Sequence, residues 1–151
     1  MSVITIKRLH SDAILPTRAT DRAVGYDLYA YHRTESGRPN KILIPPSTTK
    51  AIPTGLVIVP PEGYSIFVAS RSGIALNQSL FVANSPGVVD PDYRGELMVL
   101  LHNGGHQSHY VQHEDRVGQM ILLPWKPFEF RELIALDATE RGDKGLGSTG
   151  R

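Results

Sequence analysis

The chain has 151 residues, with 16 Lys and Arg against 15 Asp and Glu and a formal net charge of +1. That length suits one domain with its own core, and the near balance of charge argues against nucleic-acid binding driven by bulk charge. With no cysteine, neither a disulfide nor a cysteine-ligated zinc is expected, and no apolar run reaches membrane-spanning length.

Fourteen glycines and eleven prolines are spread from end to end and punctuate short apolar or alternating runs. These runs predict strands over 3–6, 26–30, 41–44, 48–52, 55–59, 64–69, 80–82, 95–102, 109–111, 116–123 and 128–136. Two of them, around 57–59 and 121–123, lack alternation, as strands buried on both faces do. Only 74–78 offers a helical turn or two. Many short strands at this spacing predict an all-β barrel or jelly roll, with residues 1–138 as the domain and 139–151 as a separate arm. The polar, charged N-terminus does not read as a signal peptide, so an intracellular, cytoplasmic protein is expected, or a nuclear one in a viral or eukaryotic host.

Several segments carry candidate chemistry. Gly25-Tyr-Asp-Leu-Tyr-Ala30 puts Asp27 inside an apolar strand, where a carboxylate must be paired or functional. Ala69-Ser-Arg-Ser-Gly-Ile74 follows an apolar strand, and Arg71, Ser72 and the Gly73 N–H form a compact donor cluster for an anion; an ordinary capped turn fits equally. In Asn84-Ser-Pro-Gly-Val-Val-Asp-Pro-Asp-Tyr-Arg-Gly95, Pro86-Gly87 marks a turn and Val88-Val89 a short strand. Pro91 restricts Asp90, a candidate general base on water. The plain alternative is that Asp90 and Asp92 cap turns and pair with Arg94. Tyr93 either stacks under a sugar or fills the core. Gln119, leading into an apolar strand, either reads a ligand or satisfies backbone groups. His102, His106, His109 and His113 crowd around Gly104-Gly105, which predicts a hairpin rather than a metal site.

The last eleven residues run Arg141-Gly-Asp-Lys-Gly-Leu-Gly-Ser-Thr-Gly-Arg151. They have little to bury, and they combine cations and hydroxyls with the open backbone of glycine. A solvated tail and a lid over a polyphosphate both fit. Gly142 to Thr149 has the spacing of a P-loop without its lysine, but two residues cannot supply the helix that a P-loop opens.

Taken together, five segments resemble the motifs of the trimeric dUTP pyrophosphatase (dUTPase) family, in order and over nearly the whole chain. Ala19-Thr20 with Ala23–Ala30 is similar to the first, Ser70–Ala75 to the second, Asn84–Gly95 to the third, Asp115–Leu122 to the fourth and Arg141–Gly150 to the fifth. The resemblance implies a distorted jelly-roll homotrimer with sites at the subunit interfaces and a flexible C-terminal arm. It implies hydrolysis of dUTP to dUMP and pyrophosphate, with Mg²⁺ on the triphosphate. That reaction keeps uracil out of DNA and supplies dUMP for thymidylate synthesis. Neither nucleic acid nor membrane is implied as a partner.

Carried onto matching positions, Asp90 would activate the water that attacks the α-phosphorus, and Tyr93 would pack on deoxyribose. Asn84, Gly87, Val88 and Val89 would read uracil, with Met98 nearby. Arg71, Ser72, Gly73 and Gln119 would hold phosphates. Asp27 would support the site through metal-bound water. Arg141, Ser148 and Thr149 would come in on the tail from another subunit to close over the β- and γ-phosphates, with Leu146 and Gly147 of the same tail also touching substrate. The chain departs from the family in Leu146, where an aromatic residue usually stacks on uracil, and in Glu114, where glycine is frequent. The rivals are a dUTPase-like regulatory or binding protein and, less favoured, a dCTP deaminase of the same fold.

Overall fold

The computed structural model describes residues 3–140 and 142–143. Its strands are β1 (Thr5–Arg8), β2 (Tyr26–Tyr29), β3 (Lys41–Ile44), β4 (Thr49–Pro53), β5 (Leu56–Val59), β6 (Tyr64–Ala69), β7 (Leu80–Val82), β8 (Gly87–Val89), β9 (Met98–Asn103), β10 (His109–Gln112) and β11 (Arg116–Pro124). One helix, α1 (Ser72–Gln78), joins β6 to β7. Every strand pairing is antiparallel. The sheets run β2-β11-β6-β8, β4-β9-β7, β1-β5 and β10-β3, and none of them closes into a barrel. The β-rich expectation holds; the closed-barrel alternative does not.

The core follows from strand alternation. Leu28, Ile66, Val68 and Met120 point inward from the four-stranded sheet and meet Ile52, Val82, Val99 and Leu101 from the three-stranded one. Of the run 57–59 expected to be buried throughout, Val57 and Ile58 are buried, together with Leu56 before them, while Val59 is only partly buried. The matching expectation for 121–123 fails, because Leu123 is exposed at the far end of β11.

Two further expectations are corrected. Residues 128–136 form no strand: Phe128, Phe130, Ile134 and Leu136 stand exposed, and Phe128 and Phe130 meet edge to face. Their alternation calls for an apolar face to lie on, and none of the described residues supplies it. The histidines do not decorate a hairpin either. β9 pairs with β4 and β7, whereas β10 pairs with β3, so the intervening turn carries the chain from one sheet to another. Asn103, fully buried, holds this crossover: its amide donates to the Ile44 and Gln107 carbonyls and accepts from the Gly105 N–H.

Near the start of the chain, Tyr31 donates to Asp12 at 3.0 Å while stacking on His10, and Arg33 pairs with the same carboxylate. Burial pushes the Asp12 carboxyl up, but the hydrogen bond from Tyr31 and the neighbouring Arg33 charge outweigh it and leave it below its ordinary value. Burial and the bond to Asp12 raise the Tyr31 phenol.

Candidate active site

The outer face of the four-stranded sheet carries the candidate chemistry, and strand register explains why. Phe67 of β6 lies opposite Val88 of β8 and Ile121 of β11, and Gln119 lies opposite both Ala69 and Asp27. Antiparallel partners share a face. Asp27, Gln119, Ile121, Phe67 and Val88 therefore project to one side, opposite the core residues Leu28, Met120 and Val68.

One cleft of about 440 Å³ on this face brings together Asp27, Arg71, Ser72, Gly73 and Gln119. β6 ends at Ala69, and α1 begins at Ser72, two residues earlier than its apolar pattern suggests. Arg71 is its N-cap, in extended conformation, and no side chain caps the first turn. The leading N–H groups thus have no side-chain partner. Ser70 fastens this corner by accepting the Val82 N–H at 2.9 Å. Gln119 donates to the Ser70 carbonyl at 2.9 Å, so it serves the backbone while lining the cleft.

Asp27 is held by both of its backbone groups, which exchange hydrogen bonds with Thr17. Its Oδ1 accepts from Arg71 Nε at 2.7 Å, and its Oδ2 lies 3.4 Å from Arg116 Nη1. Arg116 is a residue that the motifs did not single out. On a regular strand, residues 116 and 119 would face opposite ways. A register shift between Arg116 and Gly118 reverses the alternation, so Arg116 lies opposite Tyr29 and Gln119 opposite Asp27. Only three-dimensional pairing reveals that bulge.

The 84–95 segment builds a second cleft of about 680 Å³, lined by Ser65, Phe67, Val88, Asp90, Pro91, Asp92 and Trp125. Ser65 donates to the Val89 carbonyl at 2.8 Å, fixing the strand that leads to Asp90. The Tyr93 N–H closes a turn onto the Asp90 carbonyl. Arg94 does not pair with Asp90 or Asp92; it donates to the Pro91 and Tyr93 carbonyls. Asp90 is thus an exposed carboxylate beside an apolar wall that includes Trp125, another residue not anticipated from sequence.

Tyr93 donates to the Glu96 carbonyl at 3.0 Å, its ring folded over Gly95, where a Cβ would collide with it. Asn84 packs against Gly87, whose added Cβ would lie 3.1 Å from the Asn84 Nδ2. Met98 opens β9, opposite Pro53. Neither Tyr93 nor Met98 lines either cleft. Within one chain, then, the phosphate-type donors meet in one cleft and Asp90 stands in another. Arg141, Leu146, Gly147, Ser148 and Thr149 lie outside the described residues.

The donor set does not build a metal cage. No three His, Asp or Glu side chains converge among the described residues, and the carboxylate oxygens of Asp27 already face arginines.

The family model described as dUTPase matches residues 11–150. The chain belongs to the dUTPase family. It is 40% identical over 136 residues to the deoxyuridine 5'-triphosphate nucleotidohydrolase of Anaplasma marginale, covering 90% of this chain and 88% of that one. To the Helicobacter pylori enzyme of the same name it is 38% identical over 147 residues, covering 97% and 96%. Among solved structures, the dUTPase of Staphylococcus bacteriophage 80alpha with dUPNHPP has a TM-score of 0.85 over all of both chains at 22% identity, a likeness of fold. The activity of this dUTPase-family chain is dUTP hydrolysis, that of a dUTP diphosphatase, and neither the deaminase nor the purely binding alternative is favoured. No helix among the described residues is long and apolar enough to cross a membrane.

Proposed function

We propose that the Asp27–Arg71–Gln119 cleft receives the triphosphate of dUTP and that Asp90 activates the water. The observation that carries this is the convergence of Arg71, Ser72, Gly73 and Gln119 on one cleft, next to the uncapped first turn of α1. Phosphoryl transfer depends chiefly on positioning and on neutralising charge, which a guanidinium, a hydroxyl and backbone N–H groups supply. Asp90 takes a proton from water as its oxygen bonds the α-phosphorus. The bond from that phosphorus to the α–β bridging oxygen breaks, and pyrophosphate leaves. Mg²⁺ carried by the substrate would supply charge neutralisation of the triphosphate, and no side chain of the cleft need ligate it. The bound analogue in the phage 80alpha structure is consistent with this class of ligand.

The 84–89 hairpin reads uracil in this scheme, through its backbone and the Asn84 amide, and leaves no room for a thymine methyl. Tyr93 packs on deoxyribose, and Met98 lies at the edge of that pocket. Asp90 and the donor cluster occupy separate clefts of one chain; the homotrimer of jelly-roll subunits that the family resemblance implies would bring them together in one site. In it, Asp90 of one copy faces the donors of the next. Residues 139–151 serve as the arm, bringing Arg141, Gly147, Ser148 and Thr149 to the β- and γ-phosphates.

Mixed assembly tests this. Asp90→Asn chains and Arg71→Gln chains, each inactive alone, are unfolded together and refolded. A shared site regains up to about one quarter of wild-type activity, the chance that a site draws its Asp90 and its Arg71 each from a competent chain. A mixture that stays inactive, with trimers confirmed by sedimentation, contradicts the shared site.

A further inference from the structure

Strand register orders the outer face of the four-stranded sheet from the donor end toward Trp125. Along β6, Ala69 lies opposite Gln119, Val68 opposite Gly87, Phe67 opposite Val88 and Ile66 opposite Val89. One step further along β8 sets Asp90 across from Ser65, which lies opposite Leu123. Beyond Pro124 the pairing runs on, for the Trp125 N–H donates to the Gly63 carbonyl at 3.0 Å. Two residues past Leu123, the indole shares its face. Two strand spacings across and two residues along separate the Asp90 and Trp125 backbones by about 12 Å, and both side chains line one cleft. Trp125 therefore stands on the far side of Asp90 from the 84–87 turn.

The fold does not need an indole there. Trp125 is the chain's single tryptophan, it takes no part in the core cluster, and it is 45% exposed. Among the described residues it stacks on no other ring. Tyr93 is turned away, onto Gly95 and the Glu96 carbonyl. Arg94 donates to carbonyls, and no described side chain donates to the Asp90 carboxylate. The carbon face of an indole offers such a carboxylate no competing donor and displaces bulk water from beside it, so its lone pairs remain for one bound water.

We propose that Trp125 is a positioning residue for the hydrolysis, walling the end of the Asp90 cleft so that the carboxylate holds the attacking water and not bulk solvent. It acts through Asp90 and leaves nucleotide affinity to the 84–89 hairpin and the donor cleft. The inference rests on Asp90 being the group that activates the water.

The test compares dUTP turnover with Mg²⁺ in wild type, Trp125→Ala, Trp125→Gln and Trp125→Phe, each full length and checked by thermal unfolding. Trp125→Ala opens the wall, and Trp125→Gln fills it with a donor that competes for the carboxylate. Both lower kcat about tenfold and leave KM within about twofold, whereas Trp125→Phe keeps kcat within about twofold of wild type. In single turnovers with enzyme in excess, Trp125→Ala loses less than about twofold in the Asp90→Asn background, because the wall acts only through that carboxylate. The lone tryptophan also reports directly: saturating dUPNHPP lowers its quenching by acrylamide. A raised KM at constant kcat makes Trp125 a binding contact and overturns the inference. So do a Trp125→Gln protein with wild-type kcat and acrylamide quenching that the analogue leaves unchanged. A loss in the Asp90→Asn background as large as in wild type overturns the inference alone. Full turnover by Asp90→Asn itself overturns the general-base assignment, and the inference falls with it. If Trp125→Ala does not fold, Trp125→Gln carries the test.

Discussion

The carboxamide of Gln119 occupies the space that Gly25 leaves empty. A Cβ built on Gly25 would overlap Gln119 Oε1 and lie 3.1 Å from its Cδ. The obstruction falls on the tip of a flexible side chain, so the fold can absorb it while the amide is driven off its bond to the Ser70 carbonyl. Gly25→Ala is expected to keep its melting temperature within a few degrees and to raise KM for dUTP about tenfold, the value of the one charge-assisted hydrogen bond that a correctly placed Gln119 amide would give a phosphate in the proposed site. Thermal unfolding and steady-state kinetics on the same preparation check both halves.

Glu114 adopts a positive φ of 71°. It sits in a turn closed by the Asp115 N–H on the Gln112 carbonyl, and its own N–H bonds the Ala30 carbonyl at 2.8 Å, so the turn cannot relax freely. A side chain there costs about 1–2 kcal/mol, part of which glycine forfeits through its freer unfolded state. Glu114→Gly is expected to stabilise the protein by about 0.5–1 kcal/mol in urea unfolding, with unchanged turnover. This gives a physical reason for the glycine that the family resemblance implies at this position, just before the fourth motif.

Strand positions were legible where burial alone decides them. β6 and β7 begin and end where an apolar run meets Gly, Ser or Ala. Residues 128–136 misled because alternation reports what a segment needs to cover, not whether its own chain provides it. The histidine crossover misled because Gly104-Gly105 fixes a bend but not which strand pairs next; Asn103 and the sheets on either side decide that. Within the site, Asp27 was legible as a carboxylate inside an apolar strand, Arg71, Ser72 and Gly73 as a donor cluster following one and Gln119 as a polar residue leading into one, and they do meet. Arg116 was hidden by the bulge in β11, and Trp125 by lying just beyond it.

The Tyr31–Asp12 pair makes stability depend on pH in a defined direction. The Asp12 carboxyl is lowered from 3.8, so its contribution is present above that value and lost as pH falls through its lower folded-state pKa. The Tyr31 phenol is raised from 10.0, so its contribution is present below that value and lost as pH rises through its higher folded-state pKa. The difference in melting temperature between wild type and Tyr31→Phe is therefore flat across neutral pH. It narrows below 3.8 and again above 10.0. A difference as large at strongly acid pH as at neutrality contradicts the assignment.

In the proposed arm, Leu146 stands where the family resemblance implies an aromatic residue. Stacking of a base on an aromatic ring contributes about 1–3 kcal/mol. Leu146→Phe is expected to lower KM for dUTP about tenfold, with a smaller change in kcat. Unchanged affinity would show that base stacking is not what this position supplies.

The central claim is that Asp90, exposed at the end of β8, activates the attacking water. The most direct measurement is pyrophosphate release from dUTP with Mg²⁺ by wild type and Asp90→Asn, with dCTP, dTTP and UTP run in parallel. Wild type should release pyrophosphate from dUTP selectively. The folded Asp90→Asn protein should bind dUPNHPP normally and lose at least about 10²-fold in kcat, as the removal of a general base requires. An Asp90→Asn protein with wild-type turnover would contradict the account.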